Sequence, residues 1–207
     1  NLKGSGVSHV KAILLAAEGM LGLGKRDEAY KHLIMARGID STDLEVNLRL
    51  AIMEYENGNF KESFANASRL VKLEPNHVEG NFYMGIAALQ NGNPEKAMEH
   101  LKRTLQLDKT HYRAAYTLAK MYGLRIYTND AATLFDQAIR LAKTNEQKGQ
   151  VYYEWGFALK RNKNVKKADE TLNLAYKNAM SPELRKMILQ ELIDFYEGQK
   201  KVDEAVW

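Results

Sequence analysis

Residues 78–111 read VEGNFYMGIAALQNGNPEKAMEHLKRTLQLDKTH, and their pattern is that of two helices. Apolar residues around Gly85 recur every three or four positions, as they do on one face of an α-helix. Gly92-Asn93-Pro94 then ends that helix and turns the chain. Ala97 and Leu101 lie at helical spacing in the second half. The stretch therefore predicts two helices joined by a tight turn, which together form a helical hairpin.

Small residues of this hairpin recur at a fixed interval along the chain. Three series of positions keep a spacing of 34 residues: Ala17, Ala51, Gly85 and Ala119; Ala29, Ser63, Ala97 and Ala131; and Ala36, Leu70, Thr104 and Ala138. A fixed period of this length indicates tandem hairpins, each packed on its neighbours. Larger residues of the second helices would fill the space between hairpins: Leu33, Leu101, Phe135 and Leu172.

The spacing lengthens to 37 residues towards the C-terminus, where Gly156 follows Ala119 and Ala205 follows Ala168. Two insertions of three residues account for the change, and they fall around 144–148 and 179–183. We expect both insertions to lie in loops between hairpins, because lengthening a loop costs little free energy.

Residues at the hairpin ends carry signals that stop and start helices. Turns inside hairpins are predicted at Gly24-Lys25, Gly58-Asn59, Gly92-Asn93-Pro94 and Asn162-Lys163-Asn164. The fourth turn, at 124–128, has no glycine at the usual place. Asn76 and Thr110 can cap the helices that follow them, and Ser181-Pro182 combines a capping serine with proline at the first helical position.

The hairpin resembles the tetratricopeptide repeat, a family of 34-residue helix-turn-helix units. Matching positions in the best unit are Gly85, Leu89, Gly92-Asn93, Ala97, Leu101 and Leu107-Asp108, and the preceding unit adds Phe60 and Glu74-Pro75. The family's large aromatic near the start of the first helix is replaced by Ile13, Asn47, Asn81 and Ala115. The resemblance covers residues 10–207 and implies an all-α fold, a right-handed α-solenoid of tandem hairpins.

The same register divides the chain into units. Residues 1–9 are expected to form a flexible lead-in, because Lys3-Gly4-Ser5-Gly6 is typical of a linker. The solenoid then occupies residues 10–207. Complete units are predicted at 10–43, 44–77, 78–111, 112–145 and 149–182, with a partial sixth unit at 186–207.

Composition and charge exclude several classes of protein. The 30 basic and 26 acidic residues give a net charge of +4, which is too mild to indicate nucleic acid or an anionic membrane as partner. The chain has no cysteine, so disulfides and thiolate metal sites are excluded. No apolar run approaches the roughly 20 residues of a membrane span. Because the chain starts at Asn1 rather than Met, we expect a piece of a longer protein. A cytoplasmic location is favoured, and a periplasmic or membrane-anchored parent stays open.

No stretch of the sequence predicts an active site. Residues 19–26 match the glycine and lysine spacing of a phosphate-binding loop, but Arg26 stands where Ser or Thr would bind magnesium, and the preceding segment is helical. The five histidines are scattered, with no two at the spacing that shares a metal on a helix: His9, His32, His77, His100 and His111. We therefore predict a protein that is not an enzyme, without catalytic residues, cofactor or metal.

A basic cluster surrounds the turn of the fifth hairpin. It contains Lys160, Arg161, Lys163, Lys166 and Lys167. Such a cluster could bind phosphate or an acidic partner. A solvated turn is the favoured interpretation, because no aromatic residue interrupts the cluster to stack on bases. Nucleic acid is accordingly not the expected partner, and the 34-residue period differs from the 35 residues of the RNA-binding pentatricopeptide repeat.

The resemblance implies that the first helices line a concave surface that binds polypeptides. Residues predicted to face this groove are Leu48, Ile52, Tyr55, Phe82, Ile86, Tyr116, Lys120, Tyr153 and Phe157. Exposure is expected for the aromatic rings of Phe82, Tyr116 and Tyr153, whereas the aliphatic members have packing between first helices as an alternative. The predicted groove carries acids towards its start, Glu18, Glu45, Glu56 and Glu79, and bases towards its end, Arg113, Lys120, Lys160 and Arg161.

The predicted function is a scaffold or adaptor that binds a helical or extended apolar peptide in the groove. The Lys, Asn and Arg clamp with which some family members hold acidic chaperone tails is missing. A self-assembling structural protein and the partner-binding arm of a larger protein remain as alternatives. Nucleic-acid binding through residues 160–167 is a further, disfavoured one.

Overall fold

The protein is described by a computed structural model. It covers the backbone of residues 2–125 and 129–205 and the side chains of residues 9–124, 129–198 and 200. Within these residues the regular secondary structure is entirely helical, so the predicted all-α class is confirmed. The chain divides into two compact units, Asn1–Asp108 and Lys109–Trp207.

The first unit contains three helical hairpins. Its helices are α1 Leu2–Gly22, α2 Arg26–Ile39, α3 Leu44–Glu56, α4 Phe60–Leu73, α5 Val78–Gln90 and α6 Pro94–Leu107. Each helix packs on the next along the chain, and α3 also packs on α5. Stacking of this kind buries a continuous core, because no single hairpin can cover its own apolar face.

The second unit contains two hairpins and a final long helix. Its helices are α7 Tyr112–Arg125, α8 Asn129–Leu141, α9 Asn145–Arg161, α10 Val165–Asn178 and α11 Pro182–Ala205. First helices again contact one another, since α9 packs on both α7 and α11. Residues 126–128 of the glycine-free turn lie outside the described residues.

The predicted turns are confirmed in the hairpins where they are described. Gly24, Gly58 and Gly92 have φ angles of 75°, 81° and 74°, a region that glycine adopts freely because it has no Cβ. Lys163 occupies the corresponding place in the α9–α10 hairpin with a φ of 59°.

Close helix approach explains the recurring small residues. A Cβ on Gly85 would lie 2.8 Å from Leu101 Cγ, and one on Gly156 would lie 2.7 Å from Leu172 Cγ. Both leucines are fully buried, as are Leu33 and Phe135, so the predicted interhelix positions are confirmed. A larger residue at either glycine would push the two helices of its hairpin apart.

The helix caps differ in part from the prediction. Asn76 and Thr110 are not the caps, because α5 and α7 begin one position too late for them. His77 and His111 instead accept the backbone N–H three residues later through Nδ1, at 3.0 and 3.1 Å. The predicted cap at Ser181 is confirmed, since its Oγ accepts the N–H three residues later at 3.3 Å.

Two asparagines take the place of the family's aromatic residue. Asn47 Nδ2 donates to the carbonyl oxygens of Ser41 and Asp43 at 3.0 and 2.7 Å. Asn81 Nδ2 donates to two loop carbonyls in the same way, both at 3.0 Å. These amides tie the starts of α3 and α5 to the loops between hairpins, whereas an aromatic ring would contribute packing alone.

The two three-residue insertions lengthen helices, so their expected placement in loops is corrected. Helix α9 has 17 residues, compared with 13 in α3 and α5, and its first turn occupies 145–148. Thr144 starts that turn, because its side chain accepts the N–H of Gln147 at 3.1 Å. Helix α11 likewise begins at Pro182, four positions before the predicted start of the sixth unit.

Both ends of the chain differ from the predicted units. Helix α1 begins at Leu2, so the backbone of residues 2–9 is helical where a flexible lead-in was expected. Glycine weakens a helix interior by only about 1 kcal/mol, which an adjoining stable helix can offset. Helix α11 runs to Ala205 without an interhelix turn, so a second helix of the sixth unit is not formed within the described residues.

Candidate functional site

Two of the predicted groove residues are buried in the first unit. Phe82 is 1% exposed and Ile86 is 5% exposed, which corrects the expectation that the Phe82 ring faces a partner. Helix α5 packs against α3, α4 and α6, and most of its residues are buried. Phe82 also makes an edge-to-face contact with Tyr83 at 5.4 Å between ring centroids. Neither residue offers a surface to a ligand.

The other predicted residues of the first unit are half-buried. Tyr55 packs its ring against Phe60 and Tyr83, with centroids 5.3 and 6.1 Å apart, so part of its surface serves the fold. Leu48 is partly exposed on α3. Ile52 lines a cleft of about 470 Å³ together with Arg26 and Arg49. Its aliphatic side chain therefore lies among charged groups.

Acidic side chains predicted near the start of the groove form ion pairs within the first unit. Arg49 bridges Glu18 and Glu45 at 2.9 and 2.5 Å. Arg26 binds Glu56 at 2.6 Å. Since these acids already have cationic partners, the acidic character expected at this end is largely neutralised.

In the second unit, helices α7, α9 and α11 form a groove with an aromatic floor. We name it the α9–α11 groove, and its lining residues are Tyr116, Glu146, Gln150, Tyr153, Glu154, Ser181, Glu183, Leu184 and Met187. It has a volume of about 470 Å³. A second cleft of about 540 Å³ shares Tyr153, Glu183 and Met187 with it and extends along α11. Tyr116 and Tyr153 are thus brought together, as the register predicts.

Ion pairs join the first helices on this side. Lys120 of α7 binds Glu154 of α9 at 2.6 Å, and Lys160 of α9 binds Glu191 of α11 at 2.6 Å. The predicted Lys120 therefore serves mainly to hold Glu154, and Lys160, another of the bases expected at this end, is also paired. Sequence reasoning missed both glutamates, although their spacing of 37 residues matches the lengthened period.

The tyrosine hydroxyls of this face stay protonated at neutral pH. Burial, followed by the charge of Glu154, raises the pKa of Tyr116 well above its usual value of 10.0. Burial also raises the pKa of Tyr153, with Glu191 and Glu154 adding to the effect. Tyr112, which stacks on Tyr116 at 6.0 Å between ring centroids, has a pKa raised to about 12 by burial. The Tyr112 hydroxyl donates to the Gln147 carbonyl oxygen at 3.4 Å and the Tyr116 hydroxyl to Glu154 at 3.5 Å. The rings present uncharged faces.

Glu146 connects the added turn of α9 to the start of α11. Its carboxylate accepts the Ser181 hydroxyl and the Met180 N–H, both at 2.5 Å, and the Ser181 N–H at 3.1 Å. The Ser181 hydroxyl and these backbone donors lower the pKa of Glu146 below its usual 4.5. The close backbone approach is possible because Gly149 has no side chain, and a Cβ there would lie 2.9 Å from Ala179 N.

The remaining predicted features of the second unit lie outside the groove lining. Phe157 is half-buried and is not part of the groove lining. Lys160 of the basic cluster is bound to Glu191, and Lys167 Nζ lies 5.1 Å from the centroid of the Trp155 ring. Two cations of the cluster, Lys160 and Lys167, therefore have partners within the second unit.

Across residues 2–125 and 129–205, no helix combines the length and apolarity needed to cross a membrane. The side chains that the structure describes include no group of three or more His, Asp or Glu that could hold a metal ion.

Comparisons with known proteins identify the fold. No protein-family profile matches the chain, and no curated protein matches its sequence. Among solved structures, MamA of Desulfovibrio magneticus RS-1 is 19% identical with a TM-score of 0.73, over 82% of this chain and 94% of that one. YrrB, a tetratricopeptide-repeat protein with an unusual peptide-binding site, is 14% identical with a TM-score of 0.71, over 86% and 90% of the two chains.

TTC0263 of Thermus thermophilus, a thermophilic tetratricopeptide-repeat protein, has the same architecture. It is 18% identical with a TM-score of 0.65, over 89% of this chain and 99% of that one. The 34-residue hairpins, the glycine turns and these structural matches agree. The chain therefore has the fold of the tetratricopeptide-repeat proteins.

Proposed function

We propose that the protein is an interaction scaffold that binds a helical or extended apolar peptide, and that the α9–α11 groove is its binding region. The observation that carries the proposal is the aromatic floor of the groove, with Tyr116 and Tyr153 beside Met187. The proposal assigns no catalytic step to the chain.

Exposure of Met187 supports this proposal. Its side chain is 52% exposed, although it borders two partly buried tyrosines. Methionine adapts its shape to an apolar ligand, and tyrosine provides rigid contact area at a low cost in conformational entropy. A peptide that covers these three side chains would remove apolar surface from water. The peptide-binding site of YrrB supports the general class of ligand.

The binding site that we propose is smaller than the predicted one. Phe82 and Ile86 are excluded because they are buried. Tyr116 and Tyr153 remain as contact residues, and Lys120 remains as the partner of Glu154. Leu48, Ile52 and Tyr55 in the first unit, and Phe157 in the second, are still candidate contact residues within their own units.

Substitution of Tyr153 tests the proposal. Peptides would be selected from a random 16-residue display library on the full chain, and their affinities measured by fluorescence polarisation. We expect Tyr153→Ala to weaken the selected peptides about tenfold or more, because an interface tyrosine is a typical binding hot spot. Leu174→Ala, on an exposed residue of α10, is the control and should leave affinity unchanged. Equal binding to both variants would contradict the proposal.

Self-association is a second candidate function, favoured by one face of α11. Leu189, Ile193 and Tyr196 lie at helical spacing and are 43%, 50% and 50% exposed. A row of apolar side chains of this kind is typical of an interaction surface. Sedimentation velocity over a range of concentrations would show an increasing sedimentation coefficient if copies assemble, and Ile193→Glu should abolish that increase.

A further inference from the structure

We infer that the peptide held in the α9–α11 groove carries an arginine or lysine side chain directed at Glu183. This inference rests on the proposed function and narrows the chemistry of the ligand. The residues predicted to face the groove indicated an apolar peptide, and the lining of the groove adds a requirement for one positive charge.

The charge of the groove lining is uniformly negative. Its charged members are Glu146, Glu154 and Glu183, and no lysine or arginine lines it. Cations of the neighbouring sequence either bind other groups or lie outside this lining. Lys120 binds Glu154 at 2.6 Å, and Arg185 Nε donates to the Ala179 carbonyl at 2.8 Å. Lys186 borders the adjoining cleft.

Glu183 is the carboxylate that stays open to a ligand. Glu154 is paired with Lys120, and Glu146 already accepts three hydrogen bonds from Met180 and Ser181. Glu183 is exposed on the first turn of α11, and it makes no hydrogen bond or ion pair within the described side chains. A ligand cation can therefore reach it without breaking an existing contact.

The apolar lining suits the long side chains that carry a positive charge. Arginine and lysine place three or four methylene groups before the charged head. Those groups would pack on Tyr153 and Met187, which line the groove together with Glu183. A guanidinium or ammonium beside a tyrosine face gains further attraction from the ring. Nucleic acid is disfavoured, because its phosphates would meet three carboxylates.

The lengthened repeat determines where Glu146 and Glu183 lie. Glu146 and Glu183 are 37 residues apart and lie in the first turns of α9 and α11, which the insertions added. Helices α3 and α5 are one turn shorter. The insertions thus create a feature that the 34-residue units do not have.

The test uses the peptides that lose affinity in Tyr153→Ala. We expect an arginine or lysine in each, and we expect Glu183→Gln to weaken them about threefold to tenfold, as loss of an exposed charge-assisted contact does. Replacing the peptide's basic residue by glutamine should have the same effect on the wild type and no further effect on Glu183→Gln. Glu170→Gln, which removes an exposed carboxylate of α10, is the matched control and should change nothing.

Each result separates the inference from the proposed function. If the Tyr153-dependent peptides lack basic residues, or bind Glu183→Gln as tightly as wild type, the inference is wrong and the groove still binds peptides. If no peptide depends on Tyr153, the proposed function fails and the inference fails with it. A second selection on Glu183→Lys should enrich aspartate and glutamate at the same peptide position, and persistent enrichment of arginine there would overturn the assignment.

Discussion

Lys163 holds a backbone conformation that suits glycine better than lysine. Its φ angle of 59° is positive, and among the described residues it is the non-glycine residue with that property. The corresponding positions of the first three hairpins are glycines. A side chain in this region crowds the backbone and costs about 1 kcal/mol or more.

We expect Lys163→Gly to stabilise residues 109–207 by about 1 kcal/mol, because the substitution removes the crowding at Cβ. Thermal unfolding followed by circular dichroism would measure the change. Lys163→Ala is the control, since it removes the same charge and keeps the Cβ. A gain in the alanine variant equal to that in the glycine variant would show that charge, rather than backbone conformation, is responsible.

Among the helices, the added first turn of α9 is linked to the start of α11 through Glu146. The Ser181 hydroxyl, followed by the Met180 and Ser181 N–H groups, lowers the pKa of this carboxyl below 4.5. A carboxyl whose pKa is lower in the folded state than in the unfolded state stabilises the protein at pH values above its unfolded-state pKa. That contribution is lost as the pH falls through the lower, folded value.

We therefore expect wild type to be more stable than Glu146→Gln at pH 6, and we expect a smaller difference at a pH below 4.5. The reason is that a protonated Glu146 can no longer offer a charged acceptor to Ser181 and Met180. Midpoints of thermal unfolding at the two pH values would measure it. Glu170→Gln should follow wild type at both, and a Glu146 difference that persists at low pH would contradict the linkage.

Helix positions followed from the sequence where local signals determine them. The glycine turns and the small residues at 34-residue spacing placed most helices, because both depend on contacts within a single hairpin. Helix length after an insertion was harder to predict, since three extra residues can extend either a loop or a helix. Thr144 followed by Gln147 matches a capping box, a signal that would have placed the start of α9.

Side-chain exposure was harder to predict than helix position. Periodicity assigns Phe82 and Ile86 to one face of α5, but it does not show that α3, α4 and α6 surround that helix. The aromatic pair Tyr116 and Tyr153 could be predicted because both lie on first helices that pack side by side. Glu183 had no sequence signal other than its repeat spacing from Glu146.

At the scale of the whole molecule, each unit has a core of its own. The first contains Val10, Leu33 and Leu50, and the second contains Leu172, Ile188 and Leu192. In both units, contacts link helices that are close in sequence. Repeat proteins of this kind derive their stability from neighbouring units.

We expect residues 1–108, expressed alone, to be helical and to unfold cooperatively, because α1, α2 and α3 share a buried core and each of α4, α5 and α6 packs on the preceding helix. Far-ultraviolet circular dichroism with urea titration would test this. Leu50→Ala, in the centre of that core, should lower the unfolding free energy by about 2–5 kcal/mol. A fragment without helical signal would contradict the independence of this core.

The stacked pair of Phe135 and Trp155, with ring centroids 5.6 Å apart, also makes the second unit optically distinct. Residues 1–108 contain no tryptophan, and the chain has two, Trp155 and Trp207. In a Trp207→Phe variant, selectively excited tryptophan fluorescence would report only the surroundings of Trp155, whereas circular dichroism would report all helices. Differing midpoints by the two signals would reveal separate melting of the units, and coincident midpoints would indicate that they melt as one.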